Sequence, residues 1–354
     1  MAMPPADATD RWIIGSANTA GGDVPRVATE LSWADRLGTW KARWGVGRMH
    51  YLVEPGLYAV RSPAPESPVL VSANYKMSFD RLRSQLDGTD AWILVLDTRG
   101  INVWCAAGKG TFGTEEVVRR IEATGLDRVV SHRKLIVPQL GAPGIAAHEV
   151  KRQSGFRVVY GPVRAEDLPA FLRAGMKATP EMRRVRFPLR DRLAVAPVEL
   201  MMSAKYVLLA ATCLLILAGV GPDGYSWTRA AGTGTRSAVL FAAVCWGSTV
   251  LTAALLPWLP GRAFALKGFW LGLLLLSGIM GYALSHPAVI DSWLGAAAWC
   301  LLVPAAASFL AMNYTGSATY TSLSGVQREV QIASPIQAVC GVLGVALWVA
   351  GRFV

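Results

Sequence analysis

Acidic residues are almost missing from the second half of this 354-residue chain: residues 204–354 hold only Asp223, Asp291 and Glu329. That scarcity excludes an ordinary solvated domain there, because a water-exposed surface carries charge of both signs at high density. Cysteine is also scarce. Of five, Cys213, Cys245, Cys300 and Cys340 fall inside apolar runs, where a lone thiol behaves as a small hydrophobe, and Cys105 alone lies outside them. No Cys-x-x-Cys pair occurs, which excludes an iron–sulfur cluster or a structural zinc site built by this chain. Met1–Asp10 lacks both a basic and an apolar region, so no cleaved leader is expected and the first domain is expected to stay in the cytoplasm.

What is abundant is apolar: 53% of residues are hydrophobic and 17% charged. Five segments approach the ~20 residues that cross a bilayer, roughly 204–221, 238–258, 264–284, 292–312 and 336–353. An odd number puts the termini on opposite sides. Arg262 and Lys267 in the second-to-third loop, and Arg328 in the fourth-to-fifth, then face the cytoplasm. Gly247, Gly268, Gly272, Gly278, Gly281, Gly341 and Gly344 predict close helix contacts, and no ionisable residue falls mid-span, which favours an anchor over a transport path. The net charge of +11 is densest between Arg173 and Arg192, just before the first apolar run. A cluster in that position marks the cytoplasmic face and touches anionic membrane lipid; no recognition motif accompanies it, so nucleic acid is not the expected partner.

Residues 51–170 alternate in character. Val69–Ser72, Trp92–Leu96, Lys134–Val137 and Arg157–Tyr160 read as buried strands. Phe79–Leu86 and Glu115–Thr124 read as helices, the second capped by Thr114 and closed by Gly125. The expected fold is an α/β, Rossmann-like domain with an open, mostly parallel sheet, followed by an all-α transmembrane bundle of five helices. Ligand is expected at the C-terminal strand ends. The expected organisation is an N-terminal extension (1–50), the α/β domain (51–170), a basic linker (171–203) and the membrane domain (204–354). In the extension, Trp33, Trp40 and Trp44 with Leu31 and Leu37 predict an amphipathic helix packed on the domain.

After the second strand, Asn102-Val103-Trp104-Cys105-Ala106-Ala107-Gly108-Lys109 predicts a short helix capped by Asn102 and ended by Gly108, holding Cys105 over the crevice. Helix dipoles and Lys109 would favour the thiolate. Taken alone, a single Cys between Trp and Ala is more often a packing residue than a ligand.

That segment resembles the signature of the HgcA family, the membrane-anchored corrinoid proteins of microbial mercury methylation. Val71–Lys76, Pro138–Gly144 and Tyr160–Val163 are similar to segments shared with the large subunit of corrinoid iron–sulfur proteins. The resemblance implies a cobalamin or related corrinoid cofactor whose cobalt is coordinated by Cys105, with the nucleotide base displaced. The Asp-x-His-x-x-Gly pattern of His-ligated cobalamin modules is absent around His132 and His148, which read as surface or structural residues. The resemblance further implies corrinoid contacts from Ser72, Asn74, Asn102, Val103, Trp104, Ala106, Gly108, Lys109, Gln139, Leu140, Gly141, Gly144, Tyr160 and Gly161. It implies a methyltransferase acting on Hg(II), a separate ferredoxin-like iron–sulfur protein of HgcB type as reductant, and a methyl-donor protein or methyl-pterin system. A corrinoid methyl carrier with another acceptor, and a non-catalytic membrane module binding metal or corrinoid, are the alternatives. A thiolate donor would help the methyl group leave cobalt with its bonding electrons.

Overall fold

A computed structural model describes residues 11–290, 292–315 and 323–354. Met1–Asp10, read above for the absence of a leader, and Asp291 lie outside the described residues. The chain divides into two compact units, one running to Ala42 and resuming over Val46–Arg186, the other comprising Arg43–Gly45 and Phe187–Val354.

The first unit is built on a seven-stranded mixed sheet of order β1-β2-β3-β5-β4-β6-β7: β1 Ile13–Thr19, β2 Gly22–Val27, β3 Gly56–Val60, β4 Val69–Ala73, β5 Ala91–Leu96, β6 Lys134–Val137 and β7 Arg157–Tyr160. The four strands expected from the sequence are β4 to β7, and β5, β4, β6 and β7 pair in parallel. The structure adds three strands: β1 and β2 form an antiparallel hairpin, β2 joins β3 in parallel, and β3 runs antiparallel to β5. The N-terminal segment is therefore part of the sheet as well as carrying the helix α1, Trp33–Arg43.

β4 and β5 are buried along their whole length because both faces of the sheet are covered. Leu94, Leu96 and Val71 pack against α3 Val103–Lys109, α4 Thr114–Thr124 and, beyond α5 Leu126–Val129, against α6 Ala147–Ser154. Leu70, Ile93 and Val95 face the opposite way, onto α2 Lys76–Arg83 and α7 Leu168–Arg173. Each such fully buried side chain contributes about 2 kcal/mol of burial free energy.

Helix ends differ from expectation for local reasons. α2 begins at Lys76, whose N–H donates to Tyr51 O at 3.0 Å, and Gln85 and Leu86 lie in a turn rather than in the helix. α4 is capped by Gly113, while the Thr114 hydroxyl instead accepts the N–H of Ala146 at 2.9 Å. α3 runs through Gly108 and stops at Gly110, whose φ of 81° suits a left-handed C-cap.

In the second unit five helical stretches are long and apolar enough to cross a membrane: Leu189–Leu217, Trp227–Leu255, Phe264–Ser285, Trp293–Thr315 and Gly325–Ala350. Arg328, expected in a loop, lies inside the last helix, and the stretch expected as a linker carries helices at Pro180–Arg183 and Leu189–Leu193. Of the glycines expected at close contacts, Gly268 and Gly272 abut the Pro304–Ala311 stretch and Gly344 abuts Leu302. Gly247, Gly278, Gly281 and Gly341 meet nothing nearby.

Candidate functional site at the strand ends

The chain leaves β4 for β5 on one side and then crosses back to β6 on the other, so the β4/β6 junction is a topological switch point. These two strands share a single register pair, Leu70 with Ile136. A cavity of about 270 Å³ lies here, bounded by Leu70–Ser72 of β4, Ile136 and Pro138 at the end of β6, Gly161–Ala165 beyond β7, and Asn102–Trp104 at the start of α3. A larger cavity, about 320 Å³, lies among the apolar helices of the second unit, at no strand end; there Glu329 accepts the Ala265 N–H, Ser308 donates to Ala265 O, and Gln337 donates to Ser308 while its buried Oε1 has no protein partner among the described residues. The chemistry is therefore sought at the strand ends.

The loop leading into α3 is fixed by its neighbours. Asn74, buried at the end of β4, accepts from Thr98 N at 3.0 Å, Thr98 Oγ1 at 2.8 Å and Gly100 N at 3.0 Å. Ile101 O lies 2.7 Å from the same Thr98 Oγ1, so the single hydroxyl proton is shared between Asn74 Oδ1 and Ile101 O. Glu116 of α4 accepts the Asp97 N–H at 2.8 Å and is braced by Arg119 and Arg120. Burial pushes the Glu116 carboxyl up, but the Asp97 N–H and the two guanidiniums outweigh it and hold the group below its ordinary value. Arg99 and Gly100 take left-handed backbone angles, φ 57° and 70°, which turn the chain back over the sheet.

α3 then starts with Asn102, whose side chain accepts the N–H of Cys105 at 3.0 Å. Ala106 and Ala107 bury against the core, leaving Val103, Trp104 and Cys105 half-buried and Gly108 and Lys109 exposed. Cys105 is in no disulfide.

The structure thus brings Ser72, Asn102, Val103, Trp104, Leu140 and Gly161 to one cavity, while Cys105, next in the chain after Trp104, does not line it. Others do different work. Asn74 holds the loop, Gln139 accepts from Arg183 at 2.6 Å, and Tyr160 donates to Ile145 O at 2.7 Å, its phenol pushed up by burial. A Cβ at Gly141 would strike the Phe112 ring, and one at Gly144 the Phe112 carbonyl, so these glycines admit the chain itself. His132 bonds Ser67 O at 2.9 Å and His148 is exposed beside Glu149. Sequence reasoning missed Arg81 and Arg164, which line the cavity and both approach Glu166, Arg164 at 3.9 Å. Ser78 and Arg81, one turn apart on α2, were the available signal.

Fold and crevice define the class: an α/β unit with a cavity at its switch point, on a chain with five helices suited to a bilayer. Residues 46–172 match the family described as CO dehydrogenase/acetyl-CoA synthase delta subunit. The chain is similar to the acetyl-CoA decarbonylase/synthase complex subunit gamma of Methanopyrus kandleri, 35% identical over 122 residues, and of Archaeoglobus fulgidus, 33% over 122 residues. Each match covers 34% of this chain and 26% of the relative, so the chain spans about a quarter of the length of these relatives.

Proposed function

We propose that the α/β unit binds a corrinoid through Cys105 and that the chain transfers methyl groups to Hg(II) at the cytoplasmic face of a membrane. The observation that carries this reading is the position of Asn102, Val103 and Trp104, which line the cavity at the strand ends, with the partly buried Cys105 next in the chain and its backbone N–H held by Asn102. The match of residues 46–172 to subunits of acetyl-CoA-forming complexes supports a cofactor of the methyl-transfer class.

The residues present fit a corrinoid in part of its bulk. A cavity of about 270 Å³ is at the small end of ligand sites and suits a side arm such as the nucleotide tail, not the whole macrocycle. Ser72, Asn102, Val103, Trp104, Leu140 and Gly161 would hold that arm, and the exposed Gly108 leaves room over α3 for something larger. When bound, the corrinoid supplies a metal-held methyl group. Cys105 would donate sulfur electrons to that metal and favour release of the methyl with its bonding pair to Hg(II). Asn102 holds the Cys105 backbone, and Ala106 and Ala107 lock the helix to the core. Because Cys105 is the sole cysteine in residues 1–203, reducing equivalents come from a separate ferredoxin-like iron–sulfur protein. The methyl group comes from a methyl-donor protein or methyl-pterin.

The test is an anaerobic spectrum of the full chain reconstituted with cobalamin, followed by Hg(II) methylation assays. Cys105→Ala should keep much of the corrinoid affinity but lose the sulfur-ligated spectrum and the methylation. Cys105→His should keep metal coordination and still methylate far more slowly, imidazole being the weaker donor. A Cys105→His rate equal to wild type would overturn the role of sulfur. The relatives' membership of acetyl-CoA decarbonylase/synthase complexes favours a second reading, a methyl carrier serving a carbon-metabolism acceptor. Methyl transfer to such an acceptor with none to Hg(II) would select it.

A further inference from the structure

α1 is amphipathic in an unusual sense. Asp35, Gly38 and Ala42, a small and polar set at helical spacing, form its inward face: Asp35 and Ala42 are buried, and Gly38 fits under the Tyr51 ring. Asp35 is bound there by Lys76 at 2.8 Å and Arg83 at 2.9 Å. Trp33, Leu37 and Trp40, four and three residues apart, form a stripe on the opposite side. The helix meets the domain through that small face and not through this stripe: Trp33 is 74% exposed and Trp40 57%, while Leu31, Leu37 and Trp44 are partly buried. Arg36 and Lys41 flank it in solvent, and the helix's one acid, Asp35, is buried and neutralised, so the outward face is aromatic and purely cationic. Just beyond the helix Val46, Met49 and Leu52 are exposed as well, which extends the apolar surface.

We propose that this face of α1 docks into the lipid headgroup layer of a bilayer. Indole rings partition to that layer because one edge is polar and the body apolar, and a cationic flank adds attraction to anionic lipid. Five helices suited to a bilayer tie the chain to such a surface. The inference rests on reading those helices as spans.

The full chain and a Trp33→Phe/Trp40→Phe double variant are reconstituted into nanodiscs of phosphatidylcholine and phosphatidylglycerol. The difference between their fluorescence isolates the two indoles from the chain's thirteen tryptophans. The difference signal should lose more than half its intensity when the lipids carry bromine near the headgroup end of the acyl chains, and should resist aqueous iodide. Sensitivity to iodide without sensitivity to bromine overturns the proposal and puts the face in water. Resistance to both overturns it too, showing that protein covers the stripe. The double variant carries its own control: Trp246, Trp270 and Trp299 lie within the apolar helices, so quenching of its remaining fluorescence by deeply brominated lipid tests the spans separately. Both substitutions are at exposed positions and conserve the aromatic body, and an unchanged melting temperature checks the fold.

Discussion

The Asn102 side chain accepts the backbone N–H of Cys105 at 3.0 Å, so the residue that starts the cap helix also fixes the one that carries its thiol. Asn102→Ala removes this cap and should cost about 1 kcal/mol, while Asn102→Asp, which keeps the acceptor, should cost much less. Amide hydrogen exchange at Cys105 reads the effect locally. Equal exchange in wild type and Asn102→Ala would show that the cap contributes nothing.

Asn74 illustrates a residue whose value the sequence reports without its reason. Its one oxygen takes three hydrogen bonds from the loop between β5 and α3. Asn74→Ala strands those buried donors and should destabilise by about 3 kcal/mol, with corrinoid affinity falling in parallel because α3 loses its footing. Asn74→Asp restores the acceptor and should recover most of both. Weakened corrinoid binding at unchanged melting temperature would instead mark Asn74 as a direct ligand contact.

The central strands were legible because β4 and β5 are buried on both faces and therefore read as unbroken apolar runs. β1 and β2 were not. β1 is mostly half-buried or exposed and carries Gly15, Ser16 and Asn18, and β2 has Pro25 in its middle, so neither shows the alternation of a half-buried strand. The helix α3 was legible through its cap, Asn102. Arg81 offered only its spacing from Ser78 on α2, and Arg164 offered nothing, because only the fold brings α2 and the segment after β7 to one cavity. For Gly141 and Gly144 the sequence could not show one reason for glycine: Phe112, distant in sequence, packs where their side chains would be.

Acid should loosen the first unit. Burial raises the Asp35 carboxyl, but Lys76, Ser32 and Arg83 outweigh it and hold it at about 2, below the 3.8 of a free side chain. Glu116 is lowered as well. Between these values the unfolded chain binds more protons than the folded one, so the stabilisation is complete above the ordinary carboxyl range and is lost as pH falls toward 2. Asp35 accounts for about 2 kcal/mol of it. Melting of the full chain between pH 5.5 and about 2.5 should show this fall. Asp35→Asn should melt lower at neutral pH, with Lys76 and Arg83 left short of a buried counter-charge, yet show a shallower acid dependence. An acid slope unchanged by Asp35→Asn would assign the loss elsewhere.

Gly108 and Gly144 differ in what a side chain there would meet: open space at Gly108, packed backbone at Gly144. Gly108 sits inside α3 with nothing of the chain near a would-be Cβ, so the fold gives no reason to accept its entropic cost. Gly144 lies against the Phe112 carbonyl and the Ala107 backbone, where a Cβ has no room. Gly144→Ala should therefore lower the melting temperature by pushing α3 off the 139–144 turn. Gly108→Ala should raise stability by about 0.5–1 kcal/mol as a better helix former. If a corrinoid lies over this face of α3, the same methyl group stands in its way, and cobalamin affinity should drop several-fold in a protein that is more stable than wild type. Stability and affinity moving in opposite directions cannot come from damage to the fold. Unchanged affinity in Gly108→Ala would mean that the ligand does not approach α3 from the side of Gly108.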